Sequence, residues 1–393
     1  MSSIRSGGYL LVFSTIAGVV LNYLMASSSL IHVGIAGLGW PGERHAEAIS
    51  DSSSGVVSSA CDLNTERLKT FATTFEPKRT CTSFDEMLMD RDVDAIVICL
   101  PNSLHYPCSL KALEAGKHVL CEKPPTMNAA QMRTLHDEAQ KRGLLYYFGR
   151  QMRFSPGMQT AKRIVAERRL GEIYFAETMW VRSRGTPTGV DGWFTQRSKA
   201  GGGVVIDLGI HAIDAAWYLM GTPQPRAVSA QTYQKFPQFV KNKTFDVEDN
   251  AYGMVRFENG SILLFKTSWS ANLTNEIPLS PQRGRSLFTT TVYGPKGSVK
   301  VTDVFNIDAN SCPSALAFFE DQDGNLMEGK VEIEDLRGDA LRAYEFTEQD
   351  RNFLLAIRGE EPAVNSSTQA IQLMEMLDAI YRSSQLGKEV SVA

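Results

Sequence analysis

"IHVGIAGLGWPGERHAEAIS", residues Ile31 to Ser50, begins as an apolar run and then breaks into glycines. Ile31, Val33 and Ile35 alternate with small residues, the composition of a buried central strand. Gly37, Gly39 and Gly42 follow at once, and "ERHAEAI" after them suits the first turns of a helix. Glycine is favoured wherever φ must be positive, so an ordinary strand-to-helix turn is one reading. The other is a turn where unpaired N–H groups and the helix dipole meet a pyrophosphate. The next apolar run, "GVVSSACD", ends in Asp62, 20 residues past Gly42, where a carboxylate can accept from a ribose diol. Strand, glycines, helix and acid agree, so Gly37, Leu38, Gly39, Trp40, Gly42 and Asp62 are read as a dinucleotide site. Asp62 repels a 2′-phosphate, and Leu63 and Asn64 supply no cation for one. NAD is therefore favoured over NADP, with Arg67 the nearest side chain able to reverse that preference.

The chain has 393 residues, more than one typical core, which predicts two domains. It is 43% apolar and 21% charged with a net charge of −4, and it lacks a basic run, which argues against nucleic acid as a partner. Its six cysteines lie far apart with no C-x-x-C pair, a pattern of reduced thiols and not of a disulfide framework or a zinc site. Residues 1–29 stand outside the fold argument. "GYLLVFSTIAGVVLNYLM", Gly8 to Met25, is short for a membrane span and is interrupted by Ser14, Thr15 and Asn22. It lacks a clean cleavage site as well. Three readings stay open: a signal peptide, an anchor, or translated sequence upstream of a true start at Met25. The last is favoured, and with it a cytoplasmic protein without a stable membrane partner.

From residue 30 to 150 strands alternate with helices. "VDAIVICLP" stops at Pro101-Asn102, "KHVLCEKPP" at Glu122-Lys123-Pro124, and "LLYYFG" follows the helix "NAAQMRTLHDEAQKRG". This alternation predicts a parallel, doubly wound Rossmann sheet. Ligands of such sheets lie beyond the carboxyl ends of the strands, which adds Pro101, Asn102, Glu122 and Lys123 to the cofactor side. His105 lies nearby, either at the cofactor or capping a helix. From 151 to 393 the segments become "EIYFAETMWVRS", "DNAYGMVRFENG", "SILLFKTSWSA" and "SLFTTTVYGPKG", with hairpin signals at Asn259-Gly260 and Pro295-Lys296-Gly297. They predict an α+β domain with a large, mostly antiparallel open sheet. Helices around Ala340–Arg358 and Thr368–Ser384 close it.

"AGGGVVIDLGIHAIDAAWYLMG" is the other informative stretch. A helix from about Val204 to Met220 is apolar nearly all round, so it is predicted to be buried. Asp207, His211 and Asp214 nevertheless share one stripe at i, i+4 and i+7. Buried ionisable groups are costly unless paired or used. A structural Asp–His pair, a metal site short of a third ligand, and a catalytic pair are the open readings; no metal site is predicted.

Taken together, the glycine turn, "LPNSLHYPCSLKALEAGKHVLCEKP", "GGGVVIDLGIHAID" and "LLAIRGEEP…LDAIYRSSQLGKEV" resemble the glucose–fructose oxidoreductase/inositol dehydrogenase/MocA family. The likeness runs from about Ile31 to Val390. It implies a dehydrogenase that moves hydride between NAD and a secondary alcohol of a sugar, inositol or related polyol, in a homodimer or homotetramer. By the same likeness Lys123, Asp207 and His211 are the catalytic set, and Arg153, Arg182, Arg184, Trp193 and Lys199 lie where polyol contacts gather. It also implies a cis Lys123–Pro124 bond. A histidine titrating near neutrality is the natural general base for alcohol oxidation, and a lysine stabilises the developing alkoxide. An NAD-using glycosidase and a non-catalytic NAD-binding sensor are the alternative functions.

Overall fold

The computed structural model describes residues 30–187, 190–240, 244–272, 286–305, 315–334, 336 and 338–392. The apolar segment 8–25 lies outside them. Strands β1 (Ile31–Ala36), β2 (Gly55–Cys61), β3 (Arg79–Cys81), β4 (Ala95–Ile98), β5 (His118–Cys121) and β6 (Tyr146–Phe148) pair in parallel throughout. Their order is β3-β2-β1-β4-β5-β6, the doubly wound arrangement expected from the sequence. The order reverses between β1 and β4, where the carboxyl ends open a crevice. Helices α1 (Trp40–Ser50), α2 (Thr65–Phe75), α3 (Phe84–Leu88), α4 (Asn102–Glu114) and α5 (Ala129–Arg142) form the connections. Asn64 and Asn128 start α2 and α5 by accepting from N–H groups of their first turns, and Gly143 ends α5 in the left-handed region.

After α6 (Pro156–Ala166) the chain builds a nine-stranded sheet. Its strands are β7 (Phe175–Arg182), β8 (Pro225–Tyr233), β9 (Asn250–Phe257), β10 (Ile262–Ser268), β11 (Ser286–Gly294), β12 (Gly297–Phe305), β13 (Ala315–Gln322), β14 (Asn325–Glu328) and β15 (Val390–Ser391). Their order is β14-β13-β12-β11-β7-β10-β9-β8-β15, antiparallel except where β7 meets β10. Between β7 and β8 lie the short α7 (Arg197–Ala200) and a buried helix, which opens as a π-helical turn (Val205–Gly209) and continues as α8 (Ile210–Leu219). One face of the sheet packs on α8 through Trp180, Leu263, Phe265 and Phe288. The remaining helices are α9 (Gly338–Ile357) and α10 (Ser367–Leu386).

Helix α9 returns to the first sheet. Its Phe353 and Leu354 are fully buried in one cluster with Val33, Ile35, Leu120 and Tyr147. Burying two such side chains contributes about 1.5–3 kcal/mol each. The Tyr147 hydroxyl also donates to Asn352 Oδ1 at 2.9 Å.

Candidate active site

The glycine turn has the asymmetry that a pyrophosphate needs. Gly37 sits at φ 90°, and a Cβ there would lie 2.4 Å from the Cys99 carbonyl oxygen. On Gly42 a Cβ would fall 2.1 Å from the Gly37 oxygen, so these two residues pack backbone on backbone. Gly39 is different: the nearest atom to its Cβ position is Pro41 Cδ at 3.9 Å. Open space above the N-terminus of α1 is what a phosphate requires. Trp40 enters that turn with its ring half exposed, packed edge-on against Phe346 at 5.7 Å.

At the end of β2, Asp62 accepts from the N–H groups of Leu38 (2.9 Å) and Asn64 (2.8 Å) and from Arg67 Nη1 (3.0 Å). Partial burial opposes its ionisation. These three donors outweigh that and hold its carboxyl below the usual range. These residues fit NAD: a cradle left open only at Gly39, and a fixed carboxylate at the ribose position.

Beyond them lies a cleft of about 290 Å³ lined by both halves of the molecule. Pro41, Leu100, Pro101, Asn102, His105, Glu122 and Lys123 line one side; Trp193, Phe194, Gly202, Gly203, Ile206 and Asp207 line the other. Asn102 spans the seam, donating to the Ala200 carbonyl at 2.9 Å. The Lys123–Pro124 bond is cis, and Lys123 Nζ reaches Asp207 Oδ1 at 3.3 Å. Trp269 Nε1 donates to the other oxygen of Asp207 at 2.9 Å, and Arg182 stands 3.8 Å from it. Burial works against the charge on Asp207, but Lys123, Arg182 and Trp269 prevail and lower its pKa. Trp193 and Phe194 stack on each other with centroids 3.9 Å apart.

One turn further, His211 does not meet the sequence expectation of a base titrating near neutrality. It is 4% exposed, its ring lies 5.1 Å from that of Trp180, and its Nδ1 faces Arg150 Nη1 at 2.6 Å. Burial and then the charges of Arg150, Lys123 and Arg182 push its pKa well below the ordinary value. The stripe of Asp207, His211 and Asp214 therefore divides. Asp207 faces the cleft, His211 meets Arg150, and Asp214 is fully buried between Arg150 (3.0 Å) and Arg153 (2.6 Å).

Arg153 is thus not a polyol contact. It is fully buried, bonded to Asp214, the Val364 carbonyl and Gln369, and stacked on Phe148 and Tyr218. Lys199 is exposed on α7 and does not line the cleft. Trp193 does line it. His105 borders the cleft yet is engaged by protein: its two ring nitrogens lie 2.6 Å from the carbonyls of Pro124 and Leu100, which braces the Lys123 turn. The Glu122 carboxylate turns inward, accepting from the Lys123 N–H (3.0 Å) and facing His45 (3.4 Å). Among the described residues no group of three or more potential ligands could hold a metal ion.

Sequence reasoning missed Arg150, His45, Phe194 and Trp269. Arg150 carried a signal, being a charged residue directly after the apolar strand "LLYYFG". His45 carried none: it lies within α1, and its partner Asp350 (2.7 Å) is 305 positions away on α9.

Comparison with known proteins agrees with this architecture. The profile described as "Oxidoreductase family, NAD-binding Rossmann fold" matches residues 31–150, and the GFO/IDH/MocA C-terminal domain matches residues 158–300. D-Glucoside 3-dehydrogenase of Escherichia coli (strain K12) is 28% identical over 383 residues, covering 93% of this chain and 99% of the relative. Levoglucosan dehydrogenase of Pseudarthrobacter phenanthrenivorans is 25% identical over 318 residues, 74% of this chain and 77% of that protein. A levoglucosan dehydrogenase structure in complex with NADH superposes with a TM-score of 0.78 at 22% identity, covering 93% of this chain and 100% of its own. With matched profiles on both sides of the seam and a cradle shaped for the dinucleotide, the chain is an enzyme of the GFO/IDH/MocA family, an NAD-binding oxidoreductase.

Proposed function

We propose that the protein is a dehydrogenase that oxidises a secondary alcohol of a neutral sugar, inositol or related polyol, with residues 30–150 holding NAD and 151–393 the substrate. The observation that carries the reading is the Lys123–Asp207 pair, set in a cleft between the dinucleotide turn and the stacked Trp193 and Phe194. Aromatic faces suit the apolar C–H face of a sugar ring. Lys123 is the only cation lining the cleft among the described residues, and it is already paired, so no cation is left over for a substrate carboxylate. The names of the glucoside and levoglucosan dehydrogenases support a sugar.

The nicotinamide of bound NAD supplies the acceptor for the electron pair of the substrate C–H bond. The chain's residues manage the proton. For alcohol oxidation Lys123, paired as an ammonium with Asp207, first gives a proton to solvent. The substrate O–H bond then breaks toward the resulting amine while the C=O bond forms, and in the reverse direction the Lys123 ammonium returns that proton. Asp207, held by Trp269 and Arg182, keeps Lys123 aimed at the substrate oxygen. The reading includes a homodimer or homotetramer, supported by Tyr252 and Leu264 standing exposed on neighbouring strands β9 and β10.

A panel of sugars, glycosides and polyols with NAD, followed by NADH absorbance, tests this. Net NADH from at least one of them is expected. Sugar release without net NADH marks a glycosidase, and binding without either marks a sensor; both overturn the reading.

A further inference from the structure

We propose that Arg150 is a positioning residue that locks His211 in the neutral, Nε2-protonated tautomer, so that the ring takes no proton from the substrate. The proposal rests on the dehydrogenase reading and assigns, within it, which side chain can take the proton.

The argument starts from donor and acceptor chemistry. A guanidinium carries five N–H donors and no acceptor. Arg150 Nη1 stands 2.6 Å from His211 Nδ1, so the imidazole nitrogen must be the acceptor and cannot itself bear a proton. A second contact, from Arg150 Nη2 to the His211 carbonyl at 3.2 Å, fixes the guanidinium against the same residue. The ring proton of a neutral His211 therefore resides on Nε2. Protonating Nδ1 as well would set two donors nose to nose in a fully buried site.

Arg150 has no freedom to turn away. It is fully buried, Asp214 Oδ2 holds its Nη2 at 3.0 Å, and its backbone N–H donates to Gln349 Oε1 at 2.5 Å. The other charged groups around His211 point the same way. Lys123 from the turn after β5 and Arg182 from the end of β7 are cations, and Trp180 on β7 is an uncharged ring. The carboxylates nearest in sequence are engaged elsewhere, Asp207 by Lys123 and Trp269 and Asp214 by Arg150 and Arg153. Among the described residues no anion stands ready to stabilise an imidazolium. Of Lys123 and His211, only Lys123 is then left to take the substrate proton.

The test reads the ring directly. Full-length protein labelled with ¹⁵N-histidine gives long-range proton–nitrogen correlations for its six histidines, and the His211 set is the one missing in His211→Gln. Between about pH 5 and 8, the range in which an ordinary histidine titrates, His211 is expected to keep a bare Nδ1 and a protonated Nε2. An Nδ1-protonated ring, or an imidazolium forming in that range, overturns the proposal. This signature is read without substrate. A failed dehydrogenase reading shows in the substrate panel, and a failed tautomer in the nitrogen shifts.

Turnover supplies a second readout. Glutamine at position 211 keeps a side-chain oxygen for Arg150, which leucine does not, so His211→Gln is expected to retain more kcat than His211→Leu by about tenfold, the worth of one hydrogen bond. Equal loss in the two variants, with a neutral-pH limb present only in the unmodified enzyme, is the behaviour of a general base and overturns the assignment. Arg150→Met removes the lock, and its His211 is expected to titrate higher and populate both tautomers. Should that variant fail to fold, the labelled unmodified protein still decides.

Discussion

Lys123 Nζ and Asp207 Oδ1 meet at 3.3 Å although 84 positions of chain separate them, one on a turn of the parallel sheet and the other on the π-helical turn before α8. A pair that closes the seam at the cleft predicts a shared loss. Lys123→Met is expected to lower kcat by roughly 10²–10⁴-fold, the usual range for a proton-transfer group. Asp207→Asn lowers it less, and the double variant is less than additive because the two act as a unit. NAD binding followed by fluorescence titration is expected to survive in Asp207→Asn.

The glycines predict opposite phenotypes from the same substitution. Gly39→Ala meets open space, so the apo protein is expected to keep its Tm while NAD affinity falls. Gly42→Ala drives a methyl into the Gly37 carbonyl and is expected to lower Tm as well. Melting curves with and without NAD distinguish them, because ligand stabilisation is lost in both but intrinsic stability only in one.

Cofactor choice follows from the Asp62–Arg67 pair. Asp62→Ala removes the acceptor for the ribose diol and releases the Arg67 guanidinium from its 3.0 Å bond. The ratio of kcat/KM for NAD over NADP is expected to fall. Preference for NADP in the unmodified enzyme would defeat this assignment.

His45 gives the molecule a pH-dependent strap. Burial alone would depress its pKa, but Asp350 and Glu122 on either side raise it from 6.5 to about 10. A group with a raised folded pKa stabilises fully below its unfolded value, and that stability is lost as pH climbs toward the folded one. Tm is therefore expected to decline between pH of about 6.5 and about 10. His45→Gln flattens that slope, measurable by calorimetry across the range.

Asp214 stabilises two fully buried guanidinium groups at once. Asp214→Asn leaves both short of their counter-charge, and breaking a buried pair costs about 3–5 kcal/mol. Urea unfolding of the variant is expected to show a lower midpoint with an unchanged m-value.

Much of this was legible in the chain because local chemistry dictated it. The alternation of "VDAIVICLP" and "KHVLCEKPP" with amphipathic runs fixes a parallel sheet, and G-x-G-x-x-G followed by Asp62 fixes the cofactor side. The π-helical turn was hidden because an apolar run reads the same at either pitch. Arg153 was misplaced for a related reason: a guanidinium in a sequence looks exposed until its buried partner, Asp214, is found 61 residues later. The titration expected of His211 failed on Arg150, whose approach to it is tertiary. Lys199 sits one residue before the cleft-lining Ala200, and the rotation of about 100° between consecutive helical residues decides which of them faces in.

The contact between α1 and α9 sets a clock on biogenesis. Asp350 leaves the ribosome 305 residues after His45, which at 5–20 residues per second is an interval of roughly 15–60 s. Once β6 is made the first sheet has its strands, but until α9 emerges it lacks Phe353, Leu354 and the carboxylate that makes a buried imidazolium tolerable. The first sheet therefore completes its packing only after most of the second sheet has been made.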